Sequence, residues 1–541
     1  MKKILYFLSI ISLFACSDDF LERNPESVLS RDNILATKPS CEAALHSIYV
    51  KTMFNRVNYY NVSMQEARAD ILNYRRDGYS EFNLIFDYNQ GLADNSASRN
   101  SWIACYGIID ACNLIINNEL TGLNDPLDPN SEAAKVEKAD YEAQARVARA
   151  ATYLDLLSYY SRPVHETNRD TEHSGVPLVL VNDYDLRPAR ATTMEVYRQI
   201  YEDLMFAAEN LIIEHDVIEQ EMVSLTFSKA YAHGLLARFY MNLAGPVGSS
   251  NTYQLSETVS ITAAEALNKA IESCDFVLAL VQPVDNFIDL EYGISRKLDE
   301  TILMSITLDD DMGHNVHAKH WDINNDDAGD ILRVSEDVIN EFSIADKRLD
   351  YFYHPEAWKA NGVEGDDLAT RLAKSTLDDE GNEMIGAAMY GKFASKDFNV
   401  NLRDFFYNPA DVEIKYKSGF GDFNIMRASE IALIKAEACA RTNQPSLAFD
   451  AYALVKQRYF DDALPEGVTL EEIMLEKRLE FIGEGVRMLD LLRLGQNFSR
   501  YESSNSVVKN IDFNNTRLIL PLPDTDVKNN TNLQQNPGYD N

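Results

Sequence analysis

The densest run of side chains that could do chemistry is DDDMGHNVHAKHWDINNDDAGD, residues 309–330. His314, His317 and His320 are three residues apart with carboxylates on both sides, and imidazole and carboxylate groups are ligands of transition metals. On a helix, histidines at this spacing would drift around the surface instead of converging, and Gly313 favours a loop. We therefore predict no metal centre here, and a transition-metal site stays an alternative.

The same run contains part of a calcium-binding pattern. Asp322, Asn324 and Asp326 match the first three ligand positions of a calcium loop, but Asp327 replaces the required glycine and no Glu closes the loop. Calcium held by a looser arrangement stays an alternative to the prediction that the protein needs no cofactor. Trp321 stands among these hydrogen-bonding side chains, as a sugar site requires, because the apolar face of a pyranose stacks on an aromatic ring.

Enzyme signatures in the rest of the chain are poor. GAAMYGKF, residues 386–393, begins like a phosphate-binding loop, but Phe393 replaces the Ser or Thr that would hold Mg²⁺. HETNR, residues 165–169, lacks the second histidine of a zinc protease, and no GxSxG occurs. We predict that the protein is not an enzyme. A hydrolase that uses unsignalled Asp and Glu stays an alternative, because glycosidase carboxylates are defined by their separation in space.

Amphipathic helices must position these residues. In YEAQARVARAATYLDLLSYY, residues 141–160, apolar and small side chains recur every three or four residues and build one face. Similar patterns predict helices at roughly 41–53, 101–118, 193–213, 227–243, 261–281, 427–441, 446–459 and 469–494.

Several of these helices are predicted to pack in pairs. The helices near 193–213 and 227–243 form one predicted pair, with Ala230, Gly234 and Ala237 as small residues that allow close approach. Such pairs are typical of tetratricopeptide-like repeats. The predicted fold is therefore mainly α, a tetratricopeptide-like helix-pair scaffold with long irregular loops. The loops, about 55–100 and 283–425, are rich in Asn, Asp, Gly and Tyr and are where a site is expected.

A third set of charged residues lies in EKRLEFIGEGVRMLDLLRLG, residues 476–495. The pattern predicts one helix in which acidic and basic side chains three or four residues apart form a ladder of ion pairs. The ladder consists of Glu480, Glu484, Arg487, Asp490 and Arg493. Under this interpretation Glu480 and Glu484 hold the scaffold and do no catalysis.

Composition limits the classes of partner. The chain of 541 residues is 45% hydrophobic and carries a formal net charge of −35, which repels nucleic acid and anionic lipid headgroups. Cys41, Cys105, Cys112, Cys274 and Cys439 lie in apolar helical patterns without a CxxC pair. We therefore predict buried thiols and neither a disulfide framework nor a zinc site.

The N-terminus carries a targeting segment. Lys2 and Lys3 precede twelve apolar or small residues, 4–15, which as a helix would reach about 18 Å against a hydrocarbon core of about 30 Å. This pattern predicts a removable signal peptide rather than a membrane span. Residues 13–16, LFAC, resemble a bacterial lipobox, which implies a lipidated (palmitate-bearing) Cys16, and an ordinary secretory signal is the alternative. Residues 17–19, SDD, resemble a signal for export to the cell surface.

Motifs along nearly the whole chain resemble the SusD/RagB family of outer-membrane nutrient-binding lipoproteins. The strongest are RASEIALIKAEACAR (427–441), EKRLEFIGEGVRMLDLLRLG (476–495) and LILPLPDTDVKNNTNLQQNPGY (518–539). Further similar stretches are DFLERNP (19–25), GVPL (175–178) and VINEFSIADKR (338–348). The resemblance implies a SusD-like α/α superhelix, in which residues 1–15 are the lipoprotein signal peptide and 16–541 form a single domain.

The resemblance also implies a function. It describes a lipid-anchored, surface-exposed protein of the outer membrane that binds a glycan or oligosaccharide without cleaving it. The glycan would pass to a partner SusC-like TonB-dependent transporter. Peptide binding, as in RagB-like proteins, and a surface adhesin or structural protein are the alternatives. The residues that the family's ligand-bearing loops suggest for ligand binding here are Asp70, Arg75, Arg76, Tyr79, Tyr292, His320 and Trp321.

Overall fold

The structure is a computed structural model. It describes residues 34–57, 59–74, 81–89, 95–212, 226–284, 301–305, 332–334, 375–377, 383–385, 423–500 and 506–539, together with positions 338, 341–343, 346 and 348. The predicted signal peptide, Cys16, the polar run 309–330 and the glycine-containing segment 386–393 lie outside the described residues.

The described chain is mainly helical, as predicted. No helix in these ranges is both long and apolar enough to cross a membrane. The helices are α1 (Lys38–Val57), α2 (Tyr59–Arg68), α3 (Glu81–Phe86), α4 (Ser96–Ile116), α5 (Glu132–Tyr160), α6 (Thr193–Asn210), α7 (Lys229–Ala244), α8 (Ala263–Leu280), α9 (Ala428–Arg441), α10 (Pro445–Lys456), α11 (Leu470–Glu480), α12 (Arg487–Leu494) and α13 (Asp524–Asn529).

Short polar motifs define where several helices begin. Helices α6, α8 and α11 each start with a capping box. In each box a threonine side chain accepts a hydrogen bond from the backbone N–H of a glutamate three residues later, and the side chain of that glutamate accepts one from the backbone N–H of the threonine. The threonines are Thr192, Thr262 and Thr469. Each box satisfies N–H groups that a helix start would otherwise leave unpaired, so these boundaries are encoded locally.

The helices pack in pairs: α5 packs on α6, α7 on α8, and α9 on α10, with α8 also packed on α9. The predicted role of Gly234 in an α6–α7 pair was wrong. A Cβ at Gly234 would collide with Met426 and contact Ile431, so this glycine allows α7 to approach the strand and helix 423–441. The apolar faces of the pairs join in one large core, which contains Cys41, Cys105, Cys112 and Cys274, and Cys439 lies in a smaller apolar cluster. All five described cysteines are buried free thiols, as predicted.

The predicted single helix over 469–494 was also wrong. Helix α11 ends at Glu480 and α12 begins at Arg487. Between them Gly483 and Gly485 have φ values of 79° and 77°. This left-handed backbone is accessible to glycine and ends helical hydrogen bonding, so two short helices with a turn replace one straight rod.

Five two-stranded ribbons lie between the helices in the described ranges. β1 (Leu72–Tyr74) pairs with β5 (Leu332–Val334), and β4 (Thr301–Ser305) pairs with β8 (Phe423–Arg427), both antiparallel. The other pairs are β2 (Thr252–Gln254) with β3 (Ser260–Thr262), β6 (Ser375–Leu377) with β7 (Glu383–Ile385), and β9 (Phe498–Ser499) with β10 (Asn510–Ile511). The first two ribbons join segments far apart in sequence and thereby connect the predicted loops to the helical scaffold.

Candidate ligand-binding site

Asp70 is the one predicted ligand-binding residue among the described positions, and it is only 5% exposed. It follows α2, and its two carboxylate oxygens each accept a hydrogen bond of 2.9 Å from Arg487, with Arg478 at 3.8 Å. Burial alone would raise the pKa of this carboxyl, but Arg487 and Arg478 outweigh it and hold the pKa below its ordinary value. Both oxygens are therefore occupied by arginine inside the protein, next to β1.

The backbone just before Asp70 is held by a third arginine, Arg500. Its guanidinium donates to the carbonyls of Ala67, Ala69 and Phe86. It also lies 4.1 Å over the ring of Phe86. One side chain thus joins the end of α2 to the end of α3. Sequence reasoning missed Arg500, because an arginine that binds backbone carbonyls leaves no motif in its own neighbourhood.

The ribbon of β1 and β5 brings the two predicted loops to a common edge. Tyr74 is the Cα partner of Leu332 in an antiparallel register. In such a pair the chain that leaves Tyr74 and the chain that arrives at Leu332 are at the same end of the ribbon. Arg75 comes next after Tyr74, and Trp321 lies eleven residues before Leu332.

The ribbon therefore fixes the two described residues at which the predicted loops begin and end, and these loops contain most of the predicted site residues. The following predicted ligand-binding residues themselves lie outside the described part of the chain: Arg75, Arg76, Tyr79, Tyr292, His320 and Trp321. Their role in ligand binding stays a prediction.

Glu480 and Glu484 lie in a buried ion network, so the predicted ladder along one helix face was wrong for these two residues, whereas its Asp490–Arg493 pair, three residues apart in α12, is confirmed. Glu480 accepts from Arg427 and Arg458 at 2.7 Å each and from Arg348 at 3.1 Å. Glu484 accepts from Arg427 at 2.9 Å. The partners come from distant segments because the glycine turn after Glu480 separates the acids from the basic residues of α12. Carboxylates committed to several arginines stabilise the scaffold and are poor general acids or bases.

A second buried network joins α9, α11 and α12 around Glu437. This carboxylate binds Arg493, Lys477 at 3.3 Å and Arg441 at 3.2 Å. Asp490 binds Lys477 at 2.8 Å and Arg493 at 2.7 Å. Burial would raise the pKa of the Glu437 carboxyl, but the three cations outweigh it and hold the pKa well below its ordinary value. The carboxylate is therefore ionised throughout the physiological range, as befits a structural ion pair.

The remaining chemical candidates in the described residues carry no site. Burial, with help from Arg162 and Arg169, lowers the pKa of His165 in the HETNR motif to about 4, so its ring is neutral at pH 7. No group of three or more His, Cys, Asp or Glu side chains among the described residues could hold a metal ion. The calcium-like and histidine patterns of 309–330 lie outside that part of the chain.

Among the described residues, a partly open pocket of about 100 Å³ lies between α5, α7, α9 and α12. Ligand pockets usually measure about 300–1,000 Å³, so this space is too small for a sugar chain. Five of its charged lining residues are already in ion pairs with one another or with the two networks. They include Arg238, Glu430, Lys477, Asp490 and Arg493.

Comparisons with known proteins bear on both ends of the chain. Residues 332–539 match the family model described as SusD family. Residues 19–241 match a model described as "Starch-binding associating with outer membrane". A SusD-like protein of Bacteroides ovatus is 27% identical over 252 residues, 45% of this chain and 40% of the relative. The chain thus spans about two fifths of the length of this curated relative.

Solved structures share the fold over a larger span. A SusD superfamily protein from Bacteroides fragilis superposes with a TM-score of 0.66 at 19% identity, covering 93% of this chain and 100% of the other. Surface glycan-binding protein A from Bacteroides fluxus gives a TM-score of 0.61 at 19% identity, with coverage of 93% and 100%. At such identities the likeness shows the fold alone. The matches of both ends to family models, together with the SusD-like relative, show that the chain belongs to the SusD/RagB family.

Proposed function

We propose that the protein is a lipid-anchored component of the outer membrane that binds a glycan at the cell surface and delivers it to a SusC-like TonB-dependent transporter. Family membership supports this proposal, as does the description of the model that residues 19–241 match, starch-binding and associated with the outer membrane. A relative in structure, surface glycan-binding protein A of Bacteroides fluxus, is named for the same kind of ligand.

The observation that carries the proposal is the antiparallel register of Tyr74 with Leu332. It starts two loops from one edge, one with Arg75, Arg76 and Tyr79 and one that ends eleven residues after Trp321. Eleven residues reach at most about 36–40 Å, so the segment is long enough to bring its aromatic and polar side chains to the basic loop. Rings for stacking and charged groups for hydroxyls are what a pyranose needs.

The base of this site is rigid. Asp70 and Arg487 form a buried ion pair two residues before β1, and Arg500 donates to the carbonyls of Ala67 and Ala69. A rigid base reduces the entropy that the loops lose when a ligand orders them. We expect the affinity to depend on aromatic residues of the loops, with the ion pairs beneath them acting as support.

The expected affinity is modest. If two or three rings each shield about 100 Å² from water at roughly 25 cal/mol/Å², the gross gain is about 5–7 kcal/mol. Ordering costs then leave a dissociation constant in the millimolar to micromolar range. Weak binding without bond cleavage suits a protein that captures a nutrient and must release it to a transporter.

The test of ligand class is retention in native gels that contain soluble starch, arabinoxylan or galactomannan. The Trp321→Ala variant should migrate more freely than the wild type in the gel that retards the wild type, with no change in melting temperature. Leu127→Ala is the matched control, because Leu127 is 96% exposed and lies far along the chain from either loop. Retardation of Trp321→Ala equal to that of the wild type would exclude this residue from the site.

Two further measurements separate the alternatives. Incubation of the protein with each glycan that retards it should release no shorter sugars, since turnover would identify an enzyme. A pool of short peptides should not compete with the glycan. If peptides bind and no glycan does, the pair Arg75 and Arg76 would serve peptide carboxylates and the RagB-like alternative would replace the glycan proposal. Affinity purification of the tagged protein from its native outer membrane should recover a TonB-dependent transporter.

A further inference from the structure

Leu127 is the most exposed large apolar side chain in the described part of the chain, with 96% of its surface accessible. It lies in the connection between α4 and α5, residues 117–131, with Pro126 directly before it. Single exposed leucines are common in folded proteins. The way this leucine is held, and its place relative to the start of the chain, therefore decide whether it has a partner.

Two tight turns hold the backbone around Leu127. Its N–H donates to the carboxylate of Asp125 at 2.8 Å, and the N–H of Asn130 donates to the carboxylate of Asp128 at 3.2 Å. Each is an Asx turn with a proline in its middle, and proline restricts φ. The tip that presents Leu127 is thus ordered, and each neighbouring carboxylate has an oxygen bound to its own backbone.

The same connection clamps the start of the described chain. The backbone N–H of Gly122 donates to the carbonyl of Leu35 at 2.8 Å, and the Leu35 side chain is buried in the core. A Cβ at Gly122 would lie 2.3 Å from the backbone of Thr37, so this close approach requires glycine. The first described residues therefore enter the fold on the connection that carries Leu127, which follows Gly122 by five residues.

This clamp limits how far Leu127 can be from the proposed lipid anchor at Cys16. Residues 17–35 are nineteen residues and span at most about 63–68 Å. Linkers of such length raise the local concentration of the group they carry to about the millimolar range. A contact with the membrane that would be too weak on its own is therefore populated once the chain is anchored.

The charge of the chain restricts such a contact to a small apolar tip. The formal net charge of −35 repels anionic headgroups from most of the surface. Leu127 is uncharged, and burial of its side chain among acyl chains is favourable whatever the charge of the headgroups. The partner that fits is a lipid surface entered by one side chain.

We propose that Leu127 inserts into the membrane that bears the lipid anchor, so that the connection 117–131 is a second, weak membrane contact. This inference rests on the lipid anchor of the proposed function. The contact would bring the N-terminal end of α5 to the lipid, because α5 begins at Glu132, five residues after Leu127. The 29 residues of α5 are about 44 Å long, so its other end provides a distant control position.

Val247 marks that other end. It is 61% exposed and lies in the loop that follows α7. A Cβ at Gly245, two residues earlier, would lie 2.9 Å from the Cβ of His165, which comes five residues after the last residue of α5. A probe at 247 should therefore stay outside the lipid while a probe beside Leu127 contacts it.

The test places a fluorophore on a cysteine at one of these two positions in the full lipoprotein, bound to phosphatidylcholine vesicles with brominated acyl chains. The positions are Asn130→Cys and Val247→Cys. The five described cysteines are buried free thiols and Cys16 is the proposed anchor, so labelling is confined to the new thiol. Brominated lipid should quench the probe at 130 and leave the probe at 247 unchanged.

Leu127→Ser in the Asn130→Cys protein tests the leucine itself. The ratio of lipid-contacting to free tips, read from the quenched fraction, should fall about ten- to a hundredfold, because burial of a leucine side chain contributes that factor. The melting temperature should stay unchanged, since the side chain is almost fully exposed in the fold. Equal quenching with leucine and serine overturns the inference, as does equal quenching at positions 130 and 247.

Flotation of the protein with the vesicles separates the two proposals. Protein that does not float contradicts the lipid anchor of the proposed function. Protein that floats without quenching at 130 contradicts the Leu127 contact alone. If the leucine instead serves a protein partner, the probe at 130 is not quenched by lipid and responds only when the transporter is added, which also overturns the inference.

Discussion

Asp70 and Arg487 are 417 residues apart in sequence and form a two-pronged ion pair with both distances at 2.9 Å. The pair joins a residue two positions before β1 to the first residue of α12. Through it the last third of the chain supports the base of a loop that starts after residue 74. The same contact shows that a carboxylate which sequence analysis assigns to ligand binding is bound to an arginine in the protein interior.

Replacing Asp70 by Asn should destabilise the protein by about 3–5 kcal/mol, because Arg487 would be left buried without a counter-charge. Chemical unfolding monitored by circular dichroism measures this change. The double variant Asp70→Asn, Arg487→Gln is the control and should lose less than the sum of the two single variants. Additive losses would show that the two residues do not interact.

The same pair makes a prediction about pH. The pKa of Asp70 is lower in the folded state than in the unfolded chain, so its contribution to stability is present above the unfolded pKa of about 4 and lost as pH falls through the lower folded value. Asp70→Asn should therefore flatten part of the loss of stability below pH 4. An identical slope in variant and wild type between pH 2 and 4 would contradict the shift.

Glu480→Gln should lower the free energy of unfolding by several kcal/mol, because three arginines share this carboxylate within 3.1 Å. Glycan retention in native gels should persist at temperatures where the variant is folded. The matched control is Glu471→Gln, which changes an exposed glutamate on the same helix. Equal stability of the two variants would show that the ion network around Glu480 does not contribute to the free energy of unfolding.

Tyr49→Phe should destabilise the protein by about 1–3 kcal/mol, because two buried groups lose a hydrogen-bond partner. The Tyr49 hydroxyl donates to Gln144 at 2.5 Å and accepts from the backbone of Phe227 at 2.9 Å. Its ring stacks on Phe227 in either form. Tyr184→Phe removes an exposed hydroxyl and should change stability by less than about 0.5 kcal/mol. Urea unfolding of both variants is the measurement.

Two glycine-to-alanine substitutions should have opposite effects on the stability of the protein. Gly107→Ala should stabilise α4 by about 0.5–1 kcal/mol, because the added methyl meets open space in a helix interior. Gly122→Ala would drive the methyl into the backbone of Thr37 and should cost about 1–3 kcal/mol or more. Thermal melts report both changes, and a stabilised Gly122→Ala would mean that these two segments are not packed as described.

Cys16→Ser should release the protein from the membrane fraction and abolish incorporation of labelled palmitate. Each buried methylene of an acyl chain contributes about 0.8 kcal/mol, so loss of the lipids removes the anchor. Replacement of Ser17, Asp18 and Asp19 by alanine is the paired variant. This variant should still incorporate palmitate and remain in the membrane fraction, but protease added to intact cells should no longer digest it. Retention of the label in Cys16→Ser would contradict the lipobox interpretation.

The helices could be predicted from sequence because their signals are local. The 3.6-residue periodicity and capping boxes such as Thr192 with Glu195 lie within a few residues of the helix they define. The break after Glu480 was missed, since the apolar pattern continues across Gly483 and Gly485 while the backbone does not. Partners such as Arg427 for Glu480 could not be predicted, because charge patterns along one helix say nothing about arginines that the fold brings from elsewhere.

The candidate site could be predicted only in outline. The family blocks and the polar run around Trp321 indicate a sugar site, but only the register of Tyr74 with Leu332 shows that the two loops start from one edge. Asp70 shows what sequence cannot distinguish. An acidic residue next to a predicted ligand-binding loop has the same sequence context whether its carboxylate binds a sugar or an arginine.

Arg68 has a consequence for how the chain acquires its structure. Its guanidinium is buried in α2 and donates to the carbonyl of Leu518 at 2.6 Å, 450 residues away, while the backbone of Leu520 donates to Tyr159 at 2.7 Å. Arg68 therefore lacks one of its acceptors, and the carbonyl of Tyr159 lacks its donor, until residues 518–520 have been synthesised. Contacts this distant in sequence form slowly and leave early segments unprotected. The packing of α2 and α5 against this segment is therefore completed late, and removal of residues 518–539 should leave these two helices more open to proteases.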